Sequence, residues 1–159
     1  MQAAQCTIRR IRADELDELI PLCVEHAAFE RAKPIDTQGL AARLRSALFD
    51  VPIRCRVWVA RIDDELVGYA SVAPEFSTWS GSLFWHVDCL YVIAAARGSG
   101  IGRRLMDEVR EEASRTGVSE LQWQTPEWNV DAQRFYSRLG ASMQLKARFT
   151  LSTSVPGRC

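Results

Sequence analysis

The chain has 159 residues with 20 basic and 20 acidic side chains, and this length suits one domain with a substantial core. No basic run is longer than a pair, which argues against a nucleic-acid partner, and the charged residues that recur from Arg9 onward leave no signal-peptide core or membrane-spanning run. The five cysteines form no Cys-x-x-Cys pair, so we expect no metal site and no disulfide framework. Scattered cysteines are typical of a reducing compartment, and together with the lack of a signal peptide or membrane-spanning run they predict a cytoplasmic protein with no membrane partner.

The first third of the chain predicts one strand and two helices. The strand is expected at Cys6 to Arg10, and Asp14 is predicted to cap the first helix. That helix carries apolar residues at helical spacing, namely Leu16, Leu19, Ile20, Cys23, Val24 and Ala27. Pro21 is expected to kink or interrupt it, because proline has no N–H to donate. A second helix is predicted from about Thr37 to Phe49.

A run of strands follows these helices. Residues 54–62 and 65–73 predict a hairpin joined through Asp63-Asp64, and residues 82–92 predict a third, long strand. The next helix begins after a glycine-rich turn and ends at Gly117. Its apolar residues recur every four positions, at Ile101, Leu105, Val109 and Ala113.

The C-terminal part of the chain predicts a strand at 121–125, a short helix at 132–139 and a final strand at 143–151. This order of elements predicts an α+β (mixed α/β) fold, with a mostly antiparallel central sheet of about six to seven strands flanked by about four helices. We expect one domain over residues 1–151, followed by a loose tail at 152–159.

The glycine-rich turn is the strongest functional signal. A glycine turn that opens a helix presents backbone N–H groups and the positive end of the helix dipole, which suits a phosphate or pyrophosphate. A dinucleotide fingerprint would need a third glycine at position 103, and a nucleotide-triphosphatase loop would need Gly-Lys followed by Ser or Thr. The sequence Arg97-Gly98-Ser99-Gly100-Ile101-Gly102-Arg103 has neither feature, which disfavours a nucleotide-dependent enzyme.

A second motif follows about thirty residues later. Residues 129–141 contain Asn-x-x-Ala-x-x-Phe-Tyr-x-x-x-Gly-Ala. Together with the loop at 97–102, this motif resembles the GNAT superfamily of N-acetyltransferases, and the similarity covers roughly residues 82–141. The resemblance implies the GNAT fold, acetyl-CoA as cofactor and coenzyme A as product.

The resemblance also implies which residues hold acetyl-CoA. The backbone of a strand is expected to pair with the pantetheine arm at Leu90, Tyr91 and Val92. The pyrophosphate is expected on the loop and helix start, at Arg97, Gly98, Ser99, Gly100, Ile101, Gly102 and Arg103. The second motif adds Asn129, Ala132 and Tyr136, and the alternative for Asn129 is a helix cap alone.

Acetyl transfer to an amine requires that the amine lose a proton and that the departing thiolate receive one. Tyr136 matches the tyrosine of the family signature and is predicted to be the general acid, since a phenol with an ordinary pKa of about 10 is protonated at neutral pH. Alternatively, Phe135 and Tyr136 form an aromatic pair that only packs the short helix.

Asp88 is the predicted base, acting directly or through water. It matches an acidic residue that some polyamine-acetylating relatives place near the incoming amine. Alternatively, its carboxylate lies on a solvated face or pairs with an arginine. His86 alternates with Asp88 along the strand and is a candidate proton relay or, alternatively, a structural histidine.

The combination Glu127-Trp128-Asn129 with Ala141 is similar to the spermidine/spermine and thialysine acetyltransferase branch. This similarity implies direct attack, in a ternary complex, by a primary amine of a small cationic substrate: a diamine, polyamine or lysine-like amino acid. The candidate substrate-binding residues are Glu25, Glu30, Trp85, Asp88 and Gln124. Asp36 is a further acidic candidate, and Trp79 could, like Trp85, offer a cation–π face to the substrate.

The chain also departs from that branch. Arg31 and Lys33 make the region between the first two helices less acidic than a polycation channel should be. Aminoglycosides, amino acids, and protein N-termini or lysines therefore stay open as substrates, as does a non-catalytic acyl-CoA-binding sensor. The resemblance implies a homodimer, for which the aromatic-rich strand at Leu83 to Trp85 is a candidate interface.

Overall fold

A computed structural model of the chain describes residues 6–153 and divides into two compact units, Met1–Pro126 and Glu127–Cys159. Within the described residues, the first unit contains one sheet and three α-helices, and the second contains one helix, α4, at Val130–Arg138. Of the predicted tail, Ser152 and Thr153 have no regular secondary structure, and residues 154–159 lie outside the described residues.

The sheet of the first unit has its strands in chain order. The strands are β1 (Cys6–Arg10), β2 (Arg56–Ile62), β3 (Glu65–Ser77), β4 (Ser82–Val92) and β5 (Leu121–Gln122). The first four pair antiparallel, and β5 pairs parallel to β4. The predicted α+β fold with a mostly antiparallel sheet is thus confirmed, although the strand count over residues 6–153 is five rather than six or seven.

The predicted hairpin is formed by β2 and β3. Asp63 and Asp64 have φ angles of 47° and 65°, the left-handed conformation that the two central residues of a type I′ turn require. Aspartate tolerates this conformation better than most residues, so the turn forms without the usual glycine. The pairing then extends β3 four residues beyond the predicted end at Ala73.

Helix α1 spans Leu16–Phe29 and is preceded by a single 3₁₀ turn at Ala13–Glu15. The start of this segment differs from the prediction, because Glu15 and not Asp14 provides the cap: the Glu15 carboxylate accepts from the backbone N–H of Arg12 at 2.8 Å. Of the two effects predicted for Pro21, a kink or an interruption, the interruption does not occur, since the helix runs through this residue. Tertiary packing of Leu19 and Leu22 outweighs the lost hydrogen bond.

Helix α2 spans Leu40–Phe49 and begins three residues later than predicted. Gly39, with φ of 67°, precedes it in a left-handed conformation that ends the turn begun at Thr37. Helix α3 spans Ile101–Arg115, and the predicted apolar stripe is buried along its whole length, at Ile101, Leu105, Val109 and Ala113.

The two faces of the sheet bury different side chains. Val57, Val59, Tyr69 and Tyr91 belong to the core that includes α1 and Leu48 of α2. The residues that alternate with them, such as Trp58 and Ala70, are buried on the other face, where α3 contacts β1 to β4.

The predicted final strand at 143–151 is absent from the described structure. Its residues alternate between apolar and polar types, but they have no regular secondary structure, and Phe149 and Leu151 are about 90% exposed. A period-2 pattern produces a strand only where a neighbouring strand supplies the hydrogen bonds, and the described residues provide none to this segment. The strand predicted at 121–125 is likewise reduced to Leu121–Gln122.

Candidate active site

The glycine loop forms a left-handed entry into α3. Gly98 and Gly100 have φ angles of 78° and 83°, and an added Cβ would meet no atom within 4 Å at either position. The glycines are therefore required by backbone conformation and not by crowding. Since Arg104 makes the first helical hydrogen bond, to the carbonyl of Gly100 at 3.1 Å, the preceding N–H groups of the helix have no partner within it. This end of α3 can bind an anion.

Strand β4 has an open edge next to this loop. Over residues 6–153, β5 pairs with β4 only at Trp85 and His86, which leaves the edge from Val87 to Val92 without a neighbouring strand. This edge includes the three residues predicted to pair with a pantetheine arm. An extended amide-containing chain can add to such an edge by main-chain hydrogen bonds, as an added strand does.

A β-bulge in β4 sets the position of Asp88. Ser71 of β3 faces Cys89, whereas Val72 faces Val87, so Asp88 has no residue opposite it. A bulge redirects the side chain of the extra residue. The bulge also interrupts the regular alternation of side chains, on which the expected placement of His86 and Asp88 on one face of the strand depends. Asp88 lines a cavity beside the sheet, whereas His86 is not among the described residues that line it.

A cavity of about 310 Å³ lies between α1, α2 and the sheet. Seven apolar residues line it: Leu19, Ala27, Ala32, Ile35, Leu40, Leu44 and Val57. The polar and sulfur-bearing residues that line it are Cys23, His26, Glu30, Cys55, Tyr69, Ser71, Asp88 and Cys89. No lysine or arginine is among these described lining residues, so the cavity combines apolar walls with two carboxyl groups.

Three polar side chains form a line on one side of this cavity. The Nδ1 atom of His26 lies 3.1 Å from the hydroxyl oxygen of Tyr69, and its Nε2 atom lies 3.5 Å from Oε1 of Glu30. An ionised carboxylate only accepts, so the tautomer that satisfies both contacts carries its proton on Nε2, and Nδ1 accepts from the Tyr69 hydroxyl. The His26 ring also stacks on Tyr91, with ring centroids 4.9 Å apart.

Burial keeps the groups around this line in their neutral forms. It lowers the pKa of His26, against the opposing effect of Glu30, and it raises the pKa of Tyr69 far above its ordinary value. Burial likewise raises the pKa of Cys89 to about 12 and that of Cys23 by a smaller amount. These thiols are protonated at neutral pH and are poor nucleophiles.

Asp88 is the most exposed polar group of the cavity wall. Its Oδ2 atom lies 3.6 Å from Sγ of Cys89, and the thiol donates to it. This weak hydrogen bond comes from the strand's own next residue, so the bulge holds the carboxylate at the cavity while leaving it accessible to a cation.

The other predicted substrate residues have different surroundings. Glu30 lines the cavity, whereas the Glu25 carboxylate lies beside the Tyr91 hydroxyl and raises that phenol's pKa in addition to the larger effect of burial. Trp85 is buried against Trp58 with the Arg56 guanidinium 5.0 Å above its ring, away from the cavity-lining set. The structure therefore brings Glu30 and Asp88 together, but not Trp85.

The remaining candidates lie on the surface. Gln124 is exposed beyond the β4–β5 pairing, Trp79 is exposed in the turn between β3 and β4, and Asp36 accepts from the backbone N–H of Gln38 at 2.9 Å. Their predicted roles stay predictions.

Arg97 has a structural role that its position in the loop did not predict. Its guanidinium lies 4.5 Å from the ring centre of Phe29 and 5.4 Å from that of Tyr91, and its Nε donates to the carbonyl of Val92 at 2.8 Å. Arg97 thus connects the end of α1 to the end of β4. Arg103, by contrast, is exposed, with Asp107 at 4.0 Å.

The second unit contains the second predicted motif. The side chain of Asn129 accepts from the backbone N–H of Ala132 at 3.1 Å and caps α4. Tyr136 is half-buried and its ring lies edge-on to Phe135, with centroids 5.2 Å apart. Gly140, with φ of 87°, ends the helix in the left-handed conformation that the motif's glycine supplies.

Residues 23–141 match the model of the Acetyltransferase (GNAT) family. This range is most of the chain and includes both motifs. The chain belongs to this family. It is therefore a GNAT N-acetyltransferase, as the resemblance in the loop and in α4 predicted.

Known proteins of this kind agree with the assignment at modest identity. The chain is 27% identical over 133 residues to the uncharacterized N-acetyltransferase YhfO of Bacillus subtilis (strain 168), covering 84% of this chain and 87% of that protein. It is 28% identical over 126 residues to the thialysine N-epsilon-acetyltransferase of Caenorhabditis elegans, covering 79% and 76% of the two chains.

A solved structure shares the GNAT fold over nearly the whole chain. The aminoglycoside N-acetyltransferase AAC(6')-Iy in complex with CoA has a TM-score of 0.80 at 15% identity, covering 96% of this chain and 97% of that one. This likeness establishes the fold alone. Enzymes of the GNAT family use acetyl-CoA, and this neighbour binds CoA.

Sequence reasoning missed His26 and Tyr69. His26 falls on the same helical face as Leu19 and Leu22, and Glu30 follows it by one turn. A histidine on an apolar face with a carboxylate at i+4 was a usable signal of a buried polar contact. The hydroxyl partner on β3 could not be found this way, because it comes from a residue 43 positions away.

Proposed function

We propose that this GNAT enzyme transfers an acetyl group from acetyl-CoA to a primary amine of a small cationic substrate, such as a diamine, a polyamine or a lysine-like amino acid. The observation that carries the proposal is the cavity, whose apolar walls bear two carboxyl groups, Asp88 and Glu30, and no lysine or arginine among its described lining residues. Such a lining suits an aliphatic chain with a cationic amine.

The named relatives support the same substrate class. Besides the thialysine acetyltransferase, an L-ornithine N5-acetyltransferase of Arabidopsis thaliana is 25% identical over 84 residues, about half of this chain. Both names describe amino acids with a terminal amine. The volume of about 310 Å³ is at the small end for ligand sites, which also favours a compact acceptor.

The described residues fit acetyl-CoA. The N-terminus of α3, where a Cβ added at Gly98 or Gly100 would meet no atom within 4 Å, would hold the pyrophosphate, and the open β4 edge at residues 87–92 would hold the pantetheine arm. When bound, acetyl-CoA supplies the acetyl thioester: a nitrogen–carbon bond forms and the carbon–sulfur bond breaks. Asn129 and Ala132 of the second unit are proposed to contribute to the same cofactor.

Each residue in the proposed mechanism has one task. Asp88 is proposed to attract the ammonium form of the acceptor and to remove its proton, directly or through water, so that the nitrogen has a lone pair with which to attack. Tyr136 is proposed to donate its phenolic proton to the departing sulfur. The two proton transfers balance, because the acceptor loses one proton and coenzyme A gains one.

We also infer a homodimer in the cytoplasm. The four cysteines of residues 6–153 are free thiols, which agrees with a reducing compartment. Of the proposed interface, Leu83 is 55% exposed, whereas Trp85 is buried within its own unit. Sedimentation equilibrium over a range of concentrations tests the dimer, and a single species at the monomer mass would contradict it.

The experiment for the proposed activity is calorimetric titration with acetyl-CoA and free CoA, followed by a thiol-release assay over a panel of amines. The panel contains lysine analogues, ornithine, diamines, spermidine, an aminoglycoside and a peptide with a free N-terminus. We expect micromolar binding and thiol release with the small aliphatic amines. Release only with the aminoglycoside or the peptide would overturn the substrate class, and binding without any release would favour an acyl-CoA sensor.

A further inference from the structure

The proposed function gives no role to Tyr69 and His26, and it uses Glu30 only as one of the two carboxyl groups of the cavity. Tyr69, His26 and Glu30 are joined by contacts of 3.1 and 3.5 Å, and they come from two different elements, β3 and α1 with its C-terminal cap. His26 and Tyr69 are 9% and 2% exposed, whereas the Glu30 side chain is 36% exposed. The line therefore begins at a buried hydroxyl on the cavity wall and ends at a carboxylate in contact with solvent.

We propose that Tyr69, His26 and Glu30 are the route by which the proton of the acceptor amine leaves the cavity, while Asp88 holds the ammonium in place. This inference rests on the proposed function. It assigns the removal of the proton to this route instead of to Asp88, which keeps the role of attracting the ammonium, and it extends the catalytic machinery to residues on α1 and β3.

The direction of transfer follows from the hydrogen-bond roles. The Tyr69 hydroxyl donates to Nδ1 of His26, so its oxygen can only accept from other groups. The thiols of Cys23 and Cys89 lie beside this oxygen, and because a thiol is a weak donor, an ammonium in the cavity takes their place. When the ammonium gives a proton to this oxygen, the hydroxyl proton moves to Nδ1 and the Nε2 proton moves to Glu30. The amine loses one proton, Glu30 gains one and passes it to water, and Tyr69 and His26 end with the number they had.

The surroundings of His26 suit a residue that must be ready to accept a proton. Glu30 contacts it from the end of its own helix, Tyr69 from β3, and Tyr91 stacks on it from β4. Asp88 and Arg97 act on it through space with opposite signs. Because burial lowers its pKa, the imidazole is neutral at physiological pH and has a free nitrogen that can accept a proton.

Tyr69 completes the route without becoming a base itself. Burial raises its pKa, so the phenol stays protonated and can only pass a proton on. The stacking of His26 on Tyr91 and the long contact to Glu30 fix the plane of the imidazole, which keeps Nδ1 directed at the hydroxyl. Contacts of this kind shorten when substrate binds, so a distance of 3.5 Å in the free enzyme is compatible with transfer.

The test measures kcat and KM of the purified enzyme against pH, with the best amine from the panel, in H₂O and D₂O. Three variants are compared: Tyr69→Phe, His26→Gln and Asp88→Asn. Asp17→Asn, on the exposed side of the first turn of α1, is the matched control and should behave as wild type. Acetyl-CoA binding, measured by calorimetry, reports whether each variant is folded.

We expect Tyr69→Phe and His26→Gln to lower kcat at pH 7 by about a hundredfold, the lower end for loss of a general base, with KM for the amine little changed. In wild type, kcat should fall at low pH as His26 becomes protonated, and this decrease should disappear in His26→Gln. The ratio of kcat in H₂O to kcat in D₂O, which reports a proton transfer in the slow step, should be smaller in both variants. Asp88→Asn should mainly raise KM, because it removes the anchor for the ammonium.

The inference is overturned if both variants keep the wild-type kcat and its decrease at low pH while Asp88→Asn loses them. Should His26→Gln fail to fold, Tyr69→Phe decides alone, since it removes only one hydroxyl. If the wild-type enzyme acetylates no amine of the panel, it is the proposed function that fails, and this outcome is separate because it precedes any comparison of variants.

Discussion

At the scale of single residues, Glu15 shows how a buried charge can serve the fold alone. The carboxylate is 3% exposed, contacts Arg9 at 2.6 Å and Arg61 at 3.2 Å, and accepts from the backbone N–H of Arg12. Hydrogen bonding to Arg9 is the main reason that its pKa is lowered from 4.5 to about 2. The residue joins β1, the start of α1 and β2, and it has no part in the proposed chemistry.

We therefore expect Glu15→Gln to reduce the free energy of unfolding at pH 7 by about 3 kcal/mol, the equivalent of this pKa difference. Because the folded-state pKa is depressed, the stabilisation is complete above the unfolded carboxyl pKa and is lost as the pH falls from about 4.5 toward 2. Urea unfolding from pH 7 to pH 3 measures it. Asp14→Asn is the control, since that exposed carboxylate, 3.7 Å from Arg12, should change stability by less than about 1 kcal/mol.

Tyr136 is the residue on which the proposed chemistry of the second unit depends. Phe retains the edge-on contact with Phe135 but has no proton to give to the sulfur. We expect Tyr136→Phe to lower kcat by about a hundredfold or more and to leave the Kd for acetyl-CoA unchanged. Thiol-release kinetics and calorimetry measure the two quantities, and full turnover by the variant would reduce the Phe135–Tyr136 pair to a packing role.

At the scale of elements, the two ends of α3 allow a matched comparison. Gly100 at the start and Gly117 after the end have φ angles of 83° and 80°, and an added Cβ would meet no atom within 4 Å at either. A substitution is thus strained by backbone conformation alone at both sites. Only Gly100 lies in the loop that is proposed to hold the pyrophosphate.

We expect Gly100→Ala and Gly117→Ala to destabilise the protein by a similar amount, about 1 kcal/mol each. Gly100→Ala should in addition raise the Kd for acetyl-CoA about tenfold, because the strained loop no longer presents its N–H groups to the phosphates. Urea unfolding and calorimetry on both variants separate the effects. Equal Kd values for the two variants would remove the loop from the cofactor site.

The bulge in β4 is a second case in which one element sets the site. The extra residue between Val87 and Cys89 is Asp88, which is the only carboxylate of the described strand Ser82–Val92. The pairing with β5 ends just before it. One irregularity in one strand therefore positions Asp88 at the cavity, next to the open edge at which the cofactor arm is proposed to bind.

At the scale of the whole molecule, the cavity makes stability depend on pH. Burial lowers the pKa of His26, so between that value and about 6.5 the unfolded chain binds more protons than the folded protein. Stability should therefore fall as the pH is lowered through this interval. Glu15 adds nothing there, because its contribution is lost only below about 4.5.

Thermal unfolding at a series of pH values from 8 to 5 tests this expectation. The Tm of the wild-type protein should decrease over the interval, and the decrease should be smaller in His26→Gln, which has no proton to take up. A Tm that is independent of pH from 8 to 5 in the wild type would show that His26 is not held in its neutral form.

The sequence by itself determined the parts of this protein that depend on neighbours in the chain. The apolar stripe from Ile101 to Ala113, the hairpin through Asp63 and Asp64 and the cap at Asn129 follow from local periodicity and local hydrogen bonds. The two glycine-containing motifs also lie within single turns and helices. Their residues are close in the chain as well as in space, so their spacing alone indicates the GNAT family.

Only the tertiary structure decided the contacts between distant residues. The pairing of His26 with Tyr69, the bulge that sets Asp88 apart and the exclusion of Trp85 from the cavity depend on strand register and helix packing. The alternating pattern at 143–151 predicted a strand that does not form, because a strand needs a neighbouring strand that its own sequence cannot specify. Local energies select helices and turns, whereas a site assembled from three elements exists only once the core has packed them together.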